Sequence, residues 1–139
     1  ALVSESKFKY LKKATEERYS EFMAYYQQMA GIYDYSSVEE LAINYYGYKN
    51  YKEFSKAVEE YSETAIKQEM VLSEIAKKEG FTVTDEMFDK YIKKYLAAYD
   101  YGEDEVDAFL NDYGRADVYE VILHDYTLDM VVEWTGLTD

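Results

Sequence analysis

The chain has 139 residues, the usual size of one domain, and 48% of them are hydrophobic, which is too many for a disordered protein even at a net charge of −14. It contains no cysteine and no proline, which excludes disulfides, thiolate zinc sites and cysteine nucleophiles and favours long uninterrupted helices. The acidic balance disfavours nucleic acid and anionic membranes as partners, because both are bound largely through lysine and arginine.

The apolar runs are short, such as residues 130–132, so we expect no membrane-spanning segment. The first residues lack the charged-then-apolar pattern of a signal peptide. The absence of cysteine is compatible with a reducing cytoplasm, and we expect a cytoplasmic protein. A signal peptide encoded upstream of Ala1 in a longer gene would instead make it an exported one.

Tyrosine is unusually frequent, with 18 residues in the chain. Its ring is apolar and its tip is polar, so it suits surfaces that are wet in one state and covered in another. Tyrosine is enriched at protein interfaces for this reason. The composition therefore indicates a protein that contacts other proteins.

Apolar spacing predicts a long first helix over about residues 4–33. Side chains three, four or seven positions apart form one stripe: Phe8, Leu11, Thr15, Phe22, Tyr26, Met29 and Tyr33. Gly31 lies near the predicted end. At 1.5 Å per residue this helix would be roughly 45 Å long, so it must lie against another element or project from the domain.

The second and third helices each begin with a recognisable cap. Ser37 and Glu40 match a capping box, and the second helix then runs to Gly47, with Val38, Leu41, Ala42 and Tyr45 on its apolar face. Asn50 and Glu53 match a second box, which opens a third helix that runs to Gly80. Its predicted face is Phe54, Val58, Tyr61, Ala65, Gln68, Leu72 and Ile75.

Three shorter helices follow. Thr84 is the predicted cap of the fourth, which the Tyr101-Gly102 pair ends. The fifth is expected over about residues 103–113, with the acids of residues 103–105 as its solvated start. The sixth covers about residues 116–134 and is expected to be buried on several sides. The fold predicted is all-α, one domain over residues 1–139, with arm helices over about 4–79 and a compact cluster over about 84–135.

No pattern demands catalysis, and we expect no enzyme, cofactor or metal site. His124 is the only histidine, and we expect it to be half-exposed; Glu120, four residues earlier, does not complete a di-iron motif. Placing Gly102 or Gly114 at the sixth position of a calcium loop puts Ala97 or Phe109 first, so the acidic stretch 100–105 does not match an EF-hand. A metal-binding role ranks last.

Several stretches resemble the C-terminal domain of bacterial trigger factor. Residues 68–86 read QEMVLSEIAKKEGFTVTDE. This stretch is similar to the end of that family's long helix, the short extended link after it, and the next helix, which begins with Ser or Thr followed by acidic residues. Residues 99–110 resemble its short helix, and residues 128–133, LDMVVE, resemble its closing run. The Gly-Phe-Arg-x-Gly-Lys ribosome-docking signature and the prolyl-isomerase domain of the family are absent from this sequence.

The resemblance implies a chaperone domain that holds unfolded or nascent polypeptides in a helical cradle. Aromatic side chains and a methionine crowd the first two helices beyond what one core face needs, and these are the predicted polypeptide-binding residues: Phe22, Tyr25, Tyr26, Met29, Tyr33, Tyr45 and Tyr46. Packing of the two helices against each other is the other explanation of the same crowding.

Two alternatives stay open at this point. The chain is also similar to the helical domain of exported parvulin-type chaperones. It could equally be a helical interaction or dimerisation module, in which the aromatic face meets one fixed partner or a second copy in a homodimer.

Overall fold

The computed structural model describes residues 5–136, and every regular element in that range is helical. This confirms the all-α prediction; the predicted first helical residue, Ser4, lies outside the described range. The α-helices are α1 (Glu5–Ile32), α2 (Val38–Glu40), α3 (Tyr51–Glu79), α4 (Asp85–Ala98), α5 (Val106–Tyr113) and α6 (Arg115–Thr135). Helix α2 continues directly into a five-residue π-helix, Leu41–Tyr45. None of the helices within residues 5–136 combines the length and apolarity needed to cross a membrane.

The predicted N-caps of α3 and α4 are confirmed, because each capping side chain accepts a backbone hydrogen bond. The Asn50 side-chain oxygen accepts from the backbone N–H of Glu53 at 2.8 Å. The Thr84 hydroxyl accepts from the N–H of Met87 at 3.2 Å. Each bond satisfies one of the N–H groups that a helix start leaves unpaired, which is why these residues begin α3 and α4.

The capping box of α2 is shifted by one residue from its predicted form. The Ser37 hydroxyl accepts from the N–H of Glu40 at 3.1 Å, as predicted. The Glu40 carboxylate, however, accepts from the N–H and hydroxyl of Ser36, at 2.8 and 2.6 Å. These two bonds lower the pKa of Glu40.

Helices α1 and α4 end at aspartates rather than at the glycines noted in the sequence. Asp34 and Asp100 adopt positive φ angles of 65° and 64°. The next residue then donates its N–H back into the helix, from Tyr35 to the Ala30 carbonyl and from Tyr101 to the Leu96 carbonyl, both at 2.8 Å. Aspartate tolerates this left-handed conformation better than most residues. At Gly80, which ends α3 at φ 71°, the predicted glycine cap is confirmed.

The chain contacts divide into two compact units, with the boundary between Gln68 and Glu69 inside α3. In the N-terminal unit, the buried residues Ala42, Phe54 and Val58 form the centre of a core. Half-buried side chains from α1, α2 and the loop before α3 pack against it: Tyr19, Phe22, Met23, Tyr26, Val38 and Tyr48. The single-domain prediction itself stays a prediction.

The C-terminal unit has its own core where α4, α5 and α6 meet. Its buried members are Tyr91, Ile92, Leu96, Phe109, Leu110, Val118 and Ile122. Helix α4 supplies the first three. Two bonds also join α4 to α6, because the Tyr91 hydroxyl donates to Asp129 and the Tyr95 hydroxyl donates to Asp125.

The predicted face of α3 is wrong at two positions. Tyr61 is 66% exposed, whereas its neighbour Ser62 is fully buried. The Ser62 hydroxyl donates to the Val58 carbonyl one turn earlier at 2.7 Å, so a small polar residue is satisfied inside the core. Gln68 is also exposed, and Ile66 is the buried residue in that part of the helix.

Two predictions for the C-terminal unit are corrected and one is confirmed. His124 is buried, at 8% exposure, and its Nε2 atom lies 2.8 Å from the Ser73 hydroxyl. Helix α6 is buried on two sides, at Val118 and Ile122 and again at His124 and Thr127, as predicted. The acids at 103–105 form a turn ahead of α5, closed where the N–H of Gly102 reaches the Glu105 carboxylate at 2.7 Å.

Candidate functional site

A cluster of tyrosine rings lies at the junction of α1 and the π-helix. We call Tyr25, Tyr26, Tyr33, Tyr45 and Tyr46 the tyrosine patch. Four of these rings are substantially exposed: Tyr25 (51%), Tyr33 (43%), Tyr45 (50%) and Tyr46 (40%). Tyr26 is half-buried and connects the patch to the core of the N-terminal unit.

The π-helix brings two consecutive tyrosines to the surface. Leu41 and Ala42, at its start, are completely buried, whereas Tyr45 and Tyr46, at its end, are exposed. A π-turn inserts an extra residue into the helical repeat, so the side chains after it are displaced from the regular helical face. Gly47, at φ 79°, then ends the element, and the N–H of Tyr48 returns to the Ala42 carbonyl at 3.0 Å.

The rings of the patch contact each other in a continuous series. Tyr33 stacks on Tyr45 with centroids 4.8 Å apart, and Tyr45 meets Tyr46 edge-on at 4.9 Å. Tyr46 contacts Tyr26 at 5.7 Å, and Tyr26 contacts the buried Phe54 at 5.1 Å. Such pairs are worth about 0.5–1.5 kcal/mol each beyond area burial. The exposed rings are therefore held in place by their neighbours and by the core.

A cavity of about 210 Å³ lies beside the patch. It is below the roughly 300–1,000 Å³ of typical cofactor and ligand pockets, and its size fits an inserted side chain. Its lining is almost entirely aromatic and aliphatic: Phe22, Tyr26, Tyr46, Tyr48, Phe54, Ala57, Val58 and Tyr61.

The hydroxyls of Tyr26, Tyr33 and Tyr46 have pKa values raised further above physiological pH. Burial raises the pKa of Tyr26 and of Tyr46, and neighbouring tyrosines add to the effect. A hydrogen bond with Tyr45 raises the pKa of Tyr33. The surface therefore offers apolar rings with uncharged polar tips, in which any hydroxyl can donate or accept a hydrogen bond.

The structure brings most of the predicted site residues together. Five of the seven form the patch. Phe22 is half-buried, lines the cavity and contacts Tyr61 with centroids 5.4 Å apart. Met29 is half-buried on α1, one turn before Tyr33. The competing explanation, packing of the first two helices, therefore accounts for Phe22 and Tyr26 but not for the four exposed rings.

The cavity lining from α3 was not predicted as part of the site. Phe54 and Val58 appear in the sequence as core positions, and they fill that role while also forming the cavity floor. Tyr61 could have been recognised only if its exposure were known. Spacing alone assigned it to the buried face, because it lies three residues from Val58.

A second cavity, in the C-terminal unit, was not predicted at all. We call it the C-terminal groove; it measures about 280 Å³. Its lining comes from α4, α5 and α6: Tyr95, Tyr99, Phe109, Tyr113, Asp117, Val118 and Val121. No single helix carries a recognisable signal for it, because the groove exists only where the three helices meet.

Nothing in residues 5–136 suggests a metal centre, since no group of three or more metal-ligating side chains is close enough to hold an ion there. The nearest carboxylate contact of His124 is with Glu120, at 4.0 Å. The described site is therefore one of rings, aliphatic groups and hydroxyls, whose chemistry supports reversible non-covalent contact.

A comparison with protein-family models matches residues 21–133 to the C-terminus of bacterial trigger factor protein. The chain belongs to this family. The match includes all seven predicted site residues and both cavities, and it confirms the resemblance noted in the sequence. Comparisons with curated proteins and with solved structures gave no significant match.

Family membership supplies the general function. The trigger factor C-terminal domain is a non-catalytic chaperone module whose partners are polypeptides. Residues 5–20, the first half of α1, lie outside the matched range.

Proposed function

We propose that this trigger factor C-terminal domain holds unfolded or nascent polypeptides on the tyrosine patch and in the adjoining cavity. The observation that carries the proposal is a set of four exposed rings, in which Tyr33, Tyr45 and Tyr46 contact one another in series. The fourth, Tyr25, is joined to this series through Tyr26. Rings that only packed two helices together would be covered.

The physical mechanism is weak burial of apolar surface. Unfolded chains expose apolar side chains, and each Å² covered contributes about 25 cal/mol. An inserted aliphatic or aromatic side chain fills the cavity, while the patch covers its neighbours along the client. Because the patch is uncharged and its hydroxyls both donate and accept, it accepts many client sequences without requiring one.

The contacts are expected to be individually modest, so that clients are released. The rings are already ordered by their neighbours, and little conformational entropy is lost when a client covers them. This combination of ordered anchors and nonspecific apolar contact suits holding rather than permanent capture.

We also place this activity in the bacterial cytoplasm. Trigger factor is a cytoplasmic chaperone, and the absence of cysteine from the chain fits a reducing compartment. Recovery of the native protein in the periplasmic fraction of its host would contradict this assignment.

The holding function is tested by light scattering with several unrelated denatured proteins. The wild-type chain should suppress their aggregation, and the Tyr33→Ser/Tyr45→Ser variant should require several-fold more protein for the same effect. Truncating a contact ring costs about 1 kcal/mol or more, which is about fivefold in affinity. Both rings are exposed, so the helical circular dichroism of the variant should be unchanged.

The matched control is Tyr99→Ser/Tyr113→Ser, which removes two comparably exposed tyrosines of the C-terminal groove. This variant should hold clients as well as the wild type. Equal activity of the Tyr33/Tyr45 variant and the wild type would overturn the site, and absence of holding by the wild type would overturn the function.

A further inference from the structure

The formal charge of the chain is unevenly distributed between its two units. Residues 1–68 contain eleven acidic and nine basic residues, a net charge of −2. Residues 69–139 contain eighteen acidic and six basic residues, a net charge of −12. From Tyr95 to Gly136 there are eleven carboxylates and a single cationic side chain, Arg115.

The C-terminal groove lies in this acidic region. Asp117 forms part of its wall, and Tyr95, another wall residue, donates its hydroxyl to Asp125. A hydrogen bond from a neutral hydroxyl leaves the carboxylate charge in place. The rest of the lining is apolar, with Tyr99, Tyr113 and Val121 each about half-exposed. The groove therefore suits an occupant that is both apolar and cationic.

The same chain carries a segment with that chemistry. Residues 7–13, KFKYLKK, contain four lysines, three apolar or aromatic residues and no acid. They form part of α1, and Phe8 and Tyr10 are 62% and 57% exposed. Lys9 contacts Glu5 at 3.4 Å, but both side chains are at least three-quarters exposed, so this pair is weak and readily exchanged.

We propose that residues 7–13 of one copy dock into the C-terminal groove of a second copy. Phe8 and Leu11, three residues apart on one helical face, enter the aromatic wall, and the lysines meet the carboxylates around it. The chain therefore self-associates through an interface distinct from the tyrosine patch. The docking segment lies before the family match, which begins at residue 21, whereas the groove lies inside it.

Multi-angle light scattering over a concentration series tests the proposal. The wild-type mass should rise above the 16.4 kDa of one chain as concentration increases. Raising the salt concentration from low to about 0.5 M should weaken the association at least about tenfold, because the contact depends on opposite charges and the screening length shortens from about 10 Å at 0.1 M towards 3 Å at 1 M.

Charge reversal identifies the two surfaces. Lys12→Glu/Lys13→Glu and Asp117→Lys should each weaken association when present alone. The first variant leaves two lysines and two glutamates in residues 7–13, so the charge of the segment falls from +4 to zero, and the second replaces a carboxylate of the groove wall by a cation. A chain carrying all three substitutions should associate more tightly than either of these variants, because the introduced carboxylates can pair with the introduced cation.

Matched controls separate local contact from net charge and from folding. Lys52→Glu/Lys56→Glu changes two exposed lysines of α3 and alters the formal charge by the same amount as the segment variant. Asp85→Lys removes an acid from the first turn of α4 and so matches the helix-dipole cost of Asp117→Lys in the first turn of α6. Both controls should associate like the wild type.

Three outcomes overturn the proposal. One is a mass that stays at 16.4 kDa at every concentration. Another is a triple variant that associates no more tightly than Lys12→Glu/Lys13→Glu or Asp117→Lys although its circular dichroism is native. The third is binding of the segment to anionic lipid vesicles, lost in Lys12→Glu/Lys13→Glu, without any change in mass, which would make residues 7–13 a membrane-contacting helix. Client holding by the tyrosine patch is unaffected by each of these results, because Tyr33→Ser/Tyr45→Ser tests it separately.

Discussion

Two tyrosines of α4 each donate a hydrogen bond to an aspartate of α6. The two tyrosines are four residues apart on α4, and the two aspartates are four residues apart on α6. Tyr91 bonds Asp129 and Tyr95 bonds Asp125. Burial is the main cause that raises the pKa of both tyrosines well above the ordinary value for tyrosine, and the hydrogen-bonded carboxylates raise it further. The bonds fix the register of α4 against α6 and place Tyr95 in the wall of the C-terminal groove.

This arrangement predicts a loss of stability in alkali. Because the pKa of Tyr91 is raised in the folded chain, its contribution is complete below pH 10 and is lost as the pH rises beyond 10 towards the folded value. Tyr91 is only 3% exposed, so one pH unit above 10 should cost about 1 kcal/mol of unfolding free energy.

The measurement is urea unfolding of the wild type and of Tyr91→Phe at pH 8 and above 10. The variant should lose less stability than the wild type over this interval. The exposed Tyr10→Phe serves as a control and should follow the wild type. Parallel pH profiles for wild type and Tyr91→Phe would show that the hydroxyl ionises as easily in the folded chain as in the unfolded one.

At the scale of the element, local sequence decided where most helices begin. Ser37, Asn50 and Thr84 were predicted as caps, and each accepts the expected backbone N–H. A cap is a contact between residues three positions apart, so it can be recognised without knowing the fold. The π-helix after Glu40 could not be recognised in this way, because it depends on how Leu41 and Ala42 are buried.

Helix ends were predicted less well. Gly80 was correctly identified, but α1 and α4 end at Asp34 and Asp100. Aspartate occurs in many settings, so its left-handed conformation here has no distinctive sequence signal, whereas a glycine after a helical repeat does. The glycine at position 31 was close to the end of α1 but lies inside the helix.

The same substitution should therefore have opposite effects at two glycines. Gly31→Ala should stabilise the chain by about 0.5–1 kcal/mol, because alanine is favoured in a helix and its methyl group meets no neighbour within 4 Å. Gly80→Ala should destabilise it by about 1 kcal/mol, since its φ of 71° strains an alanine.

Thermal unfolding followed by circular dichroism measures both changes. The two variants have the same composition, which makes each the control for the other. A lower melting temperature for Gly31→Ala would contradict the assignment of that residue to the helix interior. A higher one for Gly80→Ala would contradict the left-handed cap.

For the whole molecule, the main physical feature is the concentration of negative charge in residues 69–139. A net charge of −12 in one compact unit opposes its own compaction through self-repulsion. The hydrogen-bonded core of α4, α5 and α6 must offset that repulsion. Salt screens the repulsion, so it should stabilise this unit.

We therefore expect sodium chloride to raise the urea midpoint at pH 7, measured by the fluorescence of Trp134 at a dilution where the chain is monomeric. Trp134 is the only tryptophan and lies in this unit. The same titration near pH 4.4, the isoelectric point of the whole chain, should show a smaller salt effect, because protonation of carboxylates lowers the negative charge of this unit. A midpoint at pH 7 that is unchanged or lowered by salt would show that self-repulsion is not significant.

The sequence by itself determined the helical class, the family, the main caps and the apolar residues available to form a core. These follow from local bonding and from the 3.6-residue repeat, which act over a few neighbouring positions. It also identified the tyrosines of the first two predicted helices as more numerous than one buried face needs.

Only the tertiary structure decided which apolar residues are covered. Spacing could not distinguish exposed Tyr61 from buried Ser62, or predict that His124 would be buried beside Ser73. It could not locate either cavity, because each is formed by side chains from three elements. Burial depends on what the rest of the chain places against a helical face, and that information is not present in the face itself.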